Sequence, residues 1–203
     1  MSKGTQTRER IIAKAATLFN QKGFDGCSMQ DIGAATGLEK GTLYGHFHSK
    51  EELSLAAFDH AWGETVRDRL EGVEALPGVI DRLLLHVRNF TTHTPLPGGC
   101  PLMNTIIDAD DGNQALLGKA NQALVGWRAY LQRELREGQK RGELKAEFDP
   151  DGVTAVLMSL LEGAMALERI DAAGRYLEKA ADHMAITLKQ LVPAAEDRSV
   201  VQN

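Results

Sequence analysis

The stretch from Ser28 to Leu53 constrains the fold more than any other part of the chain. It reads Ser-Met-Gln-Asp-Ile-Gly-Ala-Ala-Thr-Gly-Leu-Glu-Lys-Gly-Thr-Leu-Tyr-Gly-His-Phe-His-Ser-Lys-Glu-Glu-Leu. Ser28 followed by Asp31 is a near capping box, in which the hydroxyl takes an amide proton and the carboxylate reaches back. It predicts a short helix from Met29 to Ala35 that stops at Thr36-Gly37. A second short helix is predicted from about Glu39 to Phe47. Ser49 with Glu52 is a full capping box and opens a long helix through roughly Glu71. Helices this short are not stable alone, so flanking helices must hold them. Ile32, Ala35, Leu38, Leu43 and Phe47 supply the apolar contacts expected to set the angle between the pair.

The rest of the chain carries helical periodicity and little else. Aromatics are 5% of residues, and no segment alternates apolar and polar positions cleanly over six residues. The predicted fold class is therefore all-α, with about nine helices. A first helix from about Gln6 to Gln21 puts Ile11, Ile12, Ala15, Leu18 and Phe19 on one face, and Gly23 ends it as a left-handed cap. A fifth helix starts at Pro77. Three prolines and two glycines between Thr94 and Pro101 exclude helix there. A short sixth helix (Leu102 to Ala109) and a long seventh (Asn113 to Arg141, stopped by Gly142) follow. Asp149-Pro150 is an N-cap with proline at the first helical position, which starts the eighth.

The last two helices share a 4-3-4-3 apolar stepping, Val153, Leu157, Leu160, Ala164, Leu167 and then Leu177, Ala181, Met184, Leu188, Leu191. The eighth is also apolar off this stripe, at Val156, Leu161, Met165 and Ala166, so two of its faces need cover. The same pair from a second copy would provide it, with Leu157, Leu160, Ala164, Leu167, Leu177, Ala181, Met184 and Leu188 as the expected homodimer interface. A monomer with a central helix buried on every side fits the pattern as well.

Charge is unevenly distributed. The chain carries a formal −5, yet residues 1–50 hold seven Lys/Arg against four acids, and the remainder is net −8. A basic head on an acidic body suits a protein that offers one end to phosphates. The first ten residues are polar and show no signal peptide, and no apolar run approaches a membrane span, so a cytoplasmic location without membrane contact is expected. Two cysteines make no disulfide framework. No nucleophile–base pair, paired carboxylates, phosphate loop or closed metal-ligand set stands at a recognisable spacing, so neither enzymatic activity, a cofactor nor a metal is expected.

Two short helices joined through a glycine turn can set the second helix in the major groove of DNA, with Lys40, Thr42, Tyr44 and His46 as its polar reach. The particular residues from Gly37 to Leu53 closely resemble the TetR/AcrR family of transcriptional regulators. Arg10-Ile11-Ile12, Ala16, Leu18, Phe19, Gly23 and Phe24 resemble the first helix of that family. The resemblance implies a helix-turn-helix DNA-binding domain at 1–50, with helix four (about 49–71) connecting it to a ligand-binding and dimerisation domain at 51–195. A tail at 196–203 is expected to be disordered. It implies DNA contacts from Ser28, Gln30, Lys40, Gly41, Thr42, Tyr44, His46 and Lys50, with Lys3 and Thr5 near an adjacent phosphate. Gly45 departs from the family pattern, which often has a large side chain there, and removes one reader of the groove. The implied partners are a double-stranded palindromic operator, a second copy of the chain, and a small, mostly apolar effector that releases a repressor from DNA. By position, the effector contacts would be Trp62, His86, Phe90, His93, Cys100, Met103, Asn104, Ile107, Trp127, Tyr130 and Glu162. The Gly-Cys-Pro segment before helix six resembles a subgroup with electrophile-responsive members. Cys100 is open to that reading, through a thiolate stabilised by helix amides, or to plain packing.

Overall fold

The computed structural model describes residues 2–92, 96–109 and 112–194. The expected tail at 196–203 and the candidate effector contact His93 lie outside them. Among the described residues the chain is all-helical: α1 (Lys3–Lys22), α2 (Met29–Thr36), α3 (Lys40–His46), α4 (Lys50–Arg69), α5 (Val79–Thr92), α6 (Pro101–Ala109), α7 (Gln114–Lys140), α8 (Pro150–Glu168) and α9 (Tyr176–Gln190). Short 3-10 turns at Val73–Ala75 and Ala172–Gly174 add to these. The chain divides into two compact units, Met1–Arg67 with Thr94–Leu124, and Asp68–His93 with Val125–Asn203.

The first unit holds the helix-turn-helix. Its core is apolar throughout: Ile11, Ala15 and Ala16 of α1, Cys27, Met29 and Ile32 around α2, Leu43 and Phe47, and Leu53, Ala57 and Ala61 of α4. Burying each such side chain stabilises by roughly 1.5–3 kcal/mol for the larger ones, which is what holds a seven-residue α3 in shape. Cys27, Met29, Ala57 and Ala61 are not among the expected apolar contacts. Ala35, which is, is exposed. In a helix of two turns only the face of Met29 and Ile32 turns inward. α1 starts three residues earlier than predicted because Ser2 Oγ accepts from Thr5 N at 3.2 Å and caps it.

In this unit α6 and the start of α7 group with the helix-turn-helix. Hydrogen bonds give the reason. Asn20 near the end of α1 donates through Nδ2 to Pro97 O and Gly99 O, both at 2.9 Å. Asn104 Nδ2 of α6 returns donors to Asn20 O (3.0 Å) and Asn20 Oδ1 (2.9 Å). Gly98, at φ 107°, brings its Cα so close to Asn20 that an added Cβ would lie 2.5 Å from Asn20 O, so glycine is required there.

In the second unit, α5, α8 and α9 pack around Leu83, Val87, Phe90, Leu157, Leu161, Met184 and Leu188, all at most 2% exposed. Asp149 caps α8 as predicted, accepting from Asp151 N and Gly152 N, with Pro150 at the first position. α5 starts at Val79 rather than Pro77, where Glu143 accepts the Val79 amide proton at 2.7 Å.

Two expectations for α8 need correction. First, Leu157, Met184 and Leu188 are at most 1% exposed, and Ala164 is 6% exposed, within the single chain. Packing of α8 on α5 and α9 uses that stripe, so Leu157, Met184 and Leu188 offer no surface to a second copy. Leu167 of the expected interface does stay open, and Val156, Ile170 just past α8 and Ile186 of α9 are open with it, between 51% and 88% exposed. Leu160, Leu177 and Ala181 are partly exposed. Second, α8 does have the length and mean hydropathy (1.2) of a minimal membrane span, with 39% of that window buried. Its buried face is the core stripe just described, as in the central helix of a packed domain.

Candidate functional site

The candidate nucleic-acid surface is built by capping. Ser28 Oγ accepts from Asp31 N at 3.2 Å while Asp31 Oδ2 accepts from Ser28 N at 2.8 Å, completing the capping box of α2. The Ser28 hydroxyl also donates to Asp31 Oδ2 at 2.5 Å. These bonds, with Lys22 Nζ 3.0 Å from Asp31 Oδ1, hold the Asp31 carboxyl well below the usual range. Ser28 is thus committed to its own helix, while Gln30 in the same first turn is exposed. At α4, Glu52 N donates to Ser49 Oγ (3.0 Å), and Glu52 Oε2 accepts from the amide of His48 (2.8 Å), one residue earlier than the motif predicts.

The recognition helix α3 is seated by Leu43 and Phe47, both 0% exposed. Its opposite side presents Lys40, Gly41, Thr42 and Tyr44 to solvent, and His46 is half-buried. Lys40 Nζ lies 5.7 Å from the Tyr44 ring centroid, which gathers a cation and a phenol at one edge. Gly41 and Gly45 have nothing within 4 Å of where a Cβ would sit, so this surface is open and its backbone accessible. Lys50 is half-buried, with Nζ 4.0 Å over the Phe24 ring. Thr5 is exposed in the first turn of α1, its hydroxyl 2.9 Å from Ser2 Oγ. The structure thus brings Lys40, Gly41, Thr42, Tyr44 and His46 together on one helix, braced by two capped neighbours.

The candidate effector residues fall into both units. Trp62, Cys100, Met103, Asn104 and Ile107 belong to the first. Cys100 is buried at 5% exposure immediately before α6, Asn104 is bonded to Asn20, and Ile107 is 71% exposed. His86, Phe90, Trp127, Tyr130 and Glu162 belong to the second unit and do converge. The residue at their centre, Arg69, was not anticipated. Its guanidinium carbon lies 4.1 Å from the Phe90 centroid and 4.5 Å from that of Trp127, whose rings stack at 5.8 Å. Arg69 Nη2 reaches Glu162 Oε1 at 3.3 Å, with both side chains under 10% exposed. An arginine at the last position of α4, past the apolar stripe of Leu53, Ala57 and Ala61, reads in the sequence as an ordinary charged helix end.

His86 completes this cluster. Trp127 Nε1–H donates to His86 Nε2 at 3.0 Å, so the imidazole is neutral with its proton on Nδ1. Burial, then the nearby Arg69 charge, pushes its pKa down to about 3. Tyr130, 5.6 Å from the His86 ring, is pushed up to about 12, chiefly by burial. Phe90 and Trp127 are thus buried against Arg69 and His86, with Tyr130 half-buried beside them. Among the described residues no group of three or more His, Cys, Asp and Glu side chains could hold a metal ion.

Comparison with known proteins bears on the family and the fold. Residues 11–57 match the family "Bacterial regulatory proteins, tetR family", and residues 77–184 match "Tetracyclin repressor-like, C-terminal domain". Over 198 residues the chain is 25% identical to the HTH-type transcriptional repressor DhaR of Mycobacterium sp. (strain GP1), covering 96% of this chain and 97% of that one. It is 27% identical to the HTH-type transcriptional repressor ComR of Escherichia coli (strain K12), over 90% of this chain and 87% of the relative. The crystal structure of a TetR transcriptional regulator from Chloroflexus aurantiacus J-10-FL superposes with a TM-score of 0.90 at 41% identity, covering 96% of this chain and 100% of that one. These relatives are DNA-binding transcriptional regulators and not enzymes. The helix-turn-helix, the all-helical body and both family matches place the chain in the TetR family of transcriptional regulators.

Proposed function

We propose that the chain is a cytoplasmic repressor that binds a palindromic operator as a homodimer and is released by a small, mostly apolar effector. The observation that carries this reading is the recognition helix. α3 is fixed by two fully buried side chains and turns Lys40, Thr42 and Tyr44 outward from an apolar core. Two such helices in successive major grooves lie roughly 34–36 Å apart, which requires two copies. The exposure of Val156, Leu167, Ile170 and Ile186 supports self-association, because large hydrophobics left this open gain nothing until a partner covers them. The repressor names of DhaR and ComR support the sign of regulation. Phe90, Trp127 and Tyr130 around His86, Arg69 and Glu162 support an apolar effector anchored by few polar contacts.

In this reading Lys40, Tyr44, His46 and Lys50 meet phosphates, Thr42 meets bases or neighbouring phosphates, and Ser28 and Gln30 stand at the start of α2. Duplexes selected by the full-length chain from a randomised pool should converge on a palindrome. Lys50→Ala should weaken binding about equally on all duplexes and reduce the log–log salt slope by about 1 per lysine withdrawn. Unchanged affinity and slope would remove Lys50 from the contacts.

A further inference from the structure

We infer that Asp108 of α6 is a positioning residue for DNA binding, holding the turn after α1 so that Phe24 presents Lys50 to phosphate. The inference rests on the reading of Lys50 as a phosphate contact. Asp108 Oδ2 accepts from the backbone amide of Phe24 at 2.5 Å, across 84 residues of sequence. The same carboxylate occupies the space a side chain at position 23 would need: a Cβ on Gly23 would lie 2.5 Å from Asp108 Oδ1. Gly23 was expected to close α1 as a left-handed cap, but it sits at φ 76°, ψ 170°. It has the positive φ but not the helical ψ of such a cap, and this sends the chain past the carboxylate. A residue with a side chain would be strained at that φ and would push Asp108 away.

From the anchored amide, the Phe24 ring stacks on Phe19 of α1 at 6.1 Å and passes beneath Lys50 Nζ at 4.0 Å. The ammonium is thereby held over a ring face, from which it can reach an anion. Asp108 is placed against local preference, since it sits one residue before the end of α6, where the helix dipole disfavours a carboxylate. Its bond to the turn after α1 accounts for an acid at that position. Asn104, one turn earlier on α6, bonds to Asn20, so the turn is gripped from two successive turns of one helix. Asp108 is negative and part of a DNA-binding unit, and this makes its role testable by sign. A carboxylate acting by charge alone would repel DNA. A carboxylate that positions Lys50 would favour binding.

The test compares the full-length chain with Lys50→Ala, Asp108→Ala, Asp108→Asn and the Lys50→Ala/Asp108→Ala pair, on the duplex selected by the wild type, across a salt series. Asp108→Ala is expected to reproduce most of the affinity loss and slope reduction of Lys50→Ala, and to add little in the Lys50→Ala background. Asp108→Asn keeps an acceptor for the Phe24 amide and is expected to bind at least as tightly as the wild type. Tighter or unchanged binding by Asp108→Ala, or additive losses in the pair, overturns the inference while leaving Lys50 a contact. An unchanged Lys50→Ala removes the contact and the relay together. Hydrogen exchange at the Phe24 amide of the wild type needs no variant to fold. Slow exchange is expected, and exchange as fast as in an unstructured peptide overturns the anchor.

Discussion

The two units of the chain treat polarity in opposite ways. The first hides an apolar core and turns Lys40, Thr42 and Tyr44 outward. The second buries Arg69, His86 and Glu162 while leaving Val156, Leu167, Ile170 and Ile186 in solvent. Among the described residues every buried arginine, glutamate or histidine lies in the second unit. Such an inversion lowers the stability of an isolated chain, because buried charges lose hydration and exposed hydrophobics gain nothing. A surface meant for DNA needs only to be polar and rigid. The second unit keeps buried charges and exposed hydrophobics that a fold selected for stability alone would not.

The largest effect expected from this contrast is on the buried ion pair. Arg69→Met should lower unfolding stability by about 3–5 kcal/mol, since Glu162 stays buried without that guanidinium, and Arg69→Met/Glu162→Met should recover most of the loss. Denaturant unfolding at fixed protomer concentration measures it, and a loss below 1 kcal/mol would mean the second unit does not depend on its buried charges. Next comes the exposed apolar face. Leu167→Asp should weaken self-association by about 2–4 kcal/mol and DNA binding with it, read by sedimentation. An unaltered oligomeric state would show that α8 is not where copies meet.

A smaller effect comes from acid. Unfolded, His86 takes a proton below about 6.5, whereas the native imidazole stays neutral down to about 3. The unfolded state therefore binds more protons between those values, and stability falls as pH drops through that window. The slope is about 1.4 kcal/mol per pH unit. His86→Gln keeps an acceptor for the Trp127 indole and should remove that share of the slope; the same acid sensitivity in both proteins would place its origin elsewhere. The smallest effect belongs to the first unit. Gly45→Ala enters open space and should stabilise α3 by up to about 1 kcal/mol. A destabilised variant would show that α3 needs glycine for its own packing.

The sequence was most legible where local chemistry decides the outcome. Capping serines, the proline of α8 and the glycine turn each act within four residues, so eight predicted helices start within about three residues of their observed positions. Leu43 and Phe47 were readable as core because α3 has only one apolar face. α8 has two, and periodicity alone does not say which one its own unit will take, so Leu157 and Val156 exchanged expected places. Arg69 was invisible for a different reason. Its significance comes from Phe90, Trp127 and Glu162, which lie far from it in sequence. The bond from Asp108 to Phe24 was hidden in the same way.

The chain has two tryptophans, and each unit holds one: Trp62 the first, Trp127 the second. Trp127 is 6% exposed, with its indole N–H bonded to His86 and its ring against a guanidinium. Its emission should therefore be shifted to the blue and should respond to any rearrangement of that cluster. With Trp62→Phe in place, a single intrinsic fluorophore reports the second unit alone, and with Trp127→Phe the other reports the first. Changes in the first unit and changes in the second then become separate optical signals, recorded without a label.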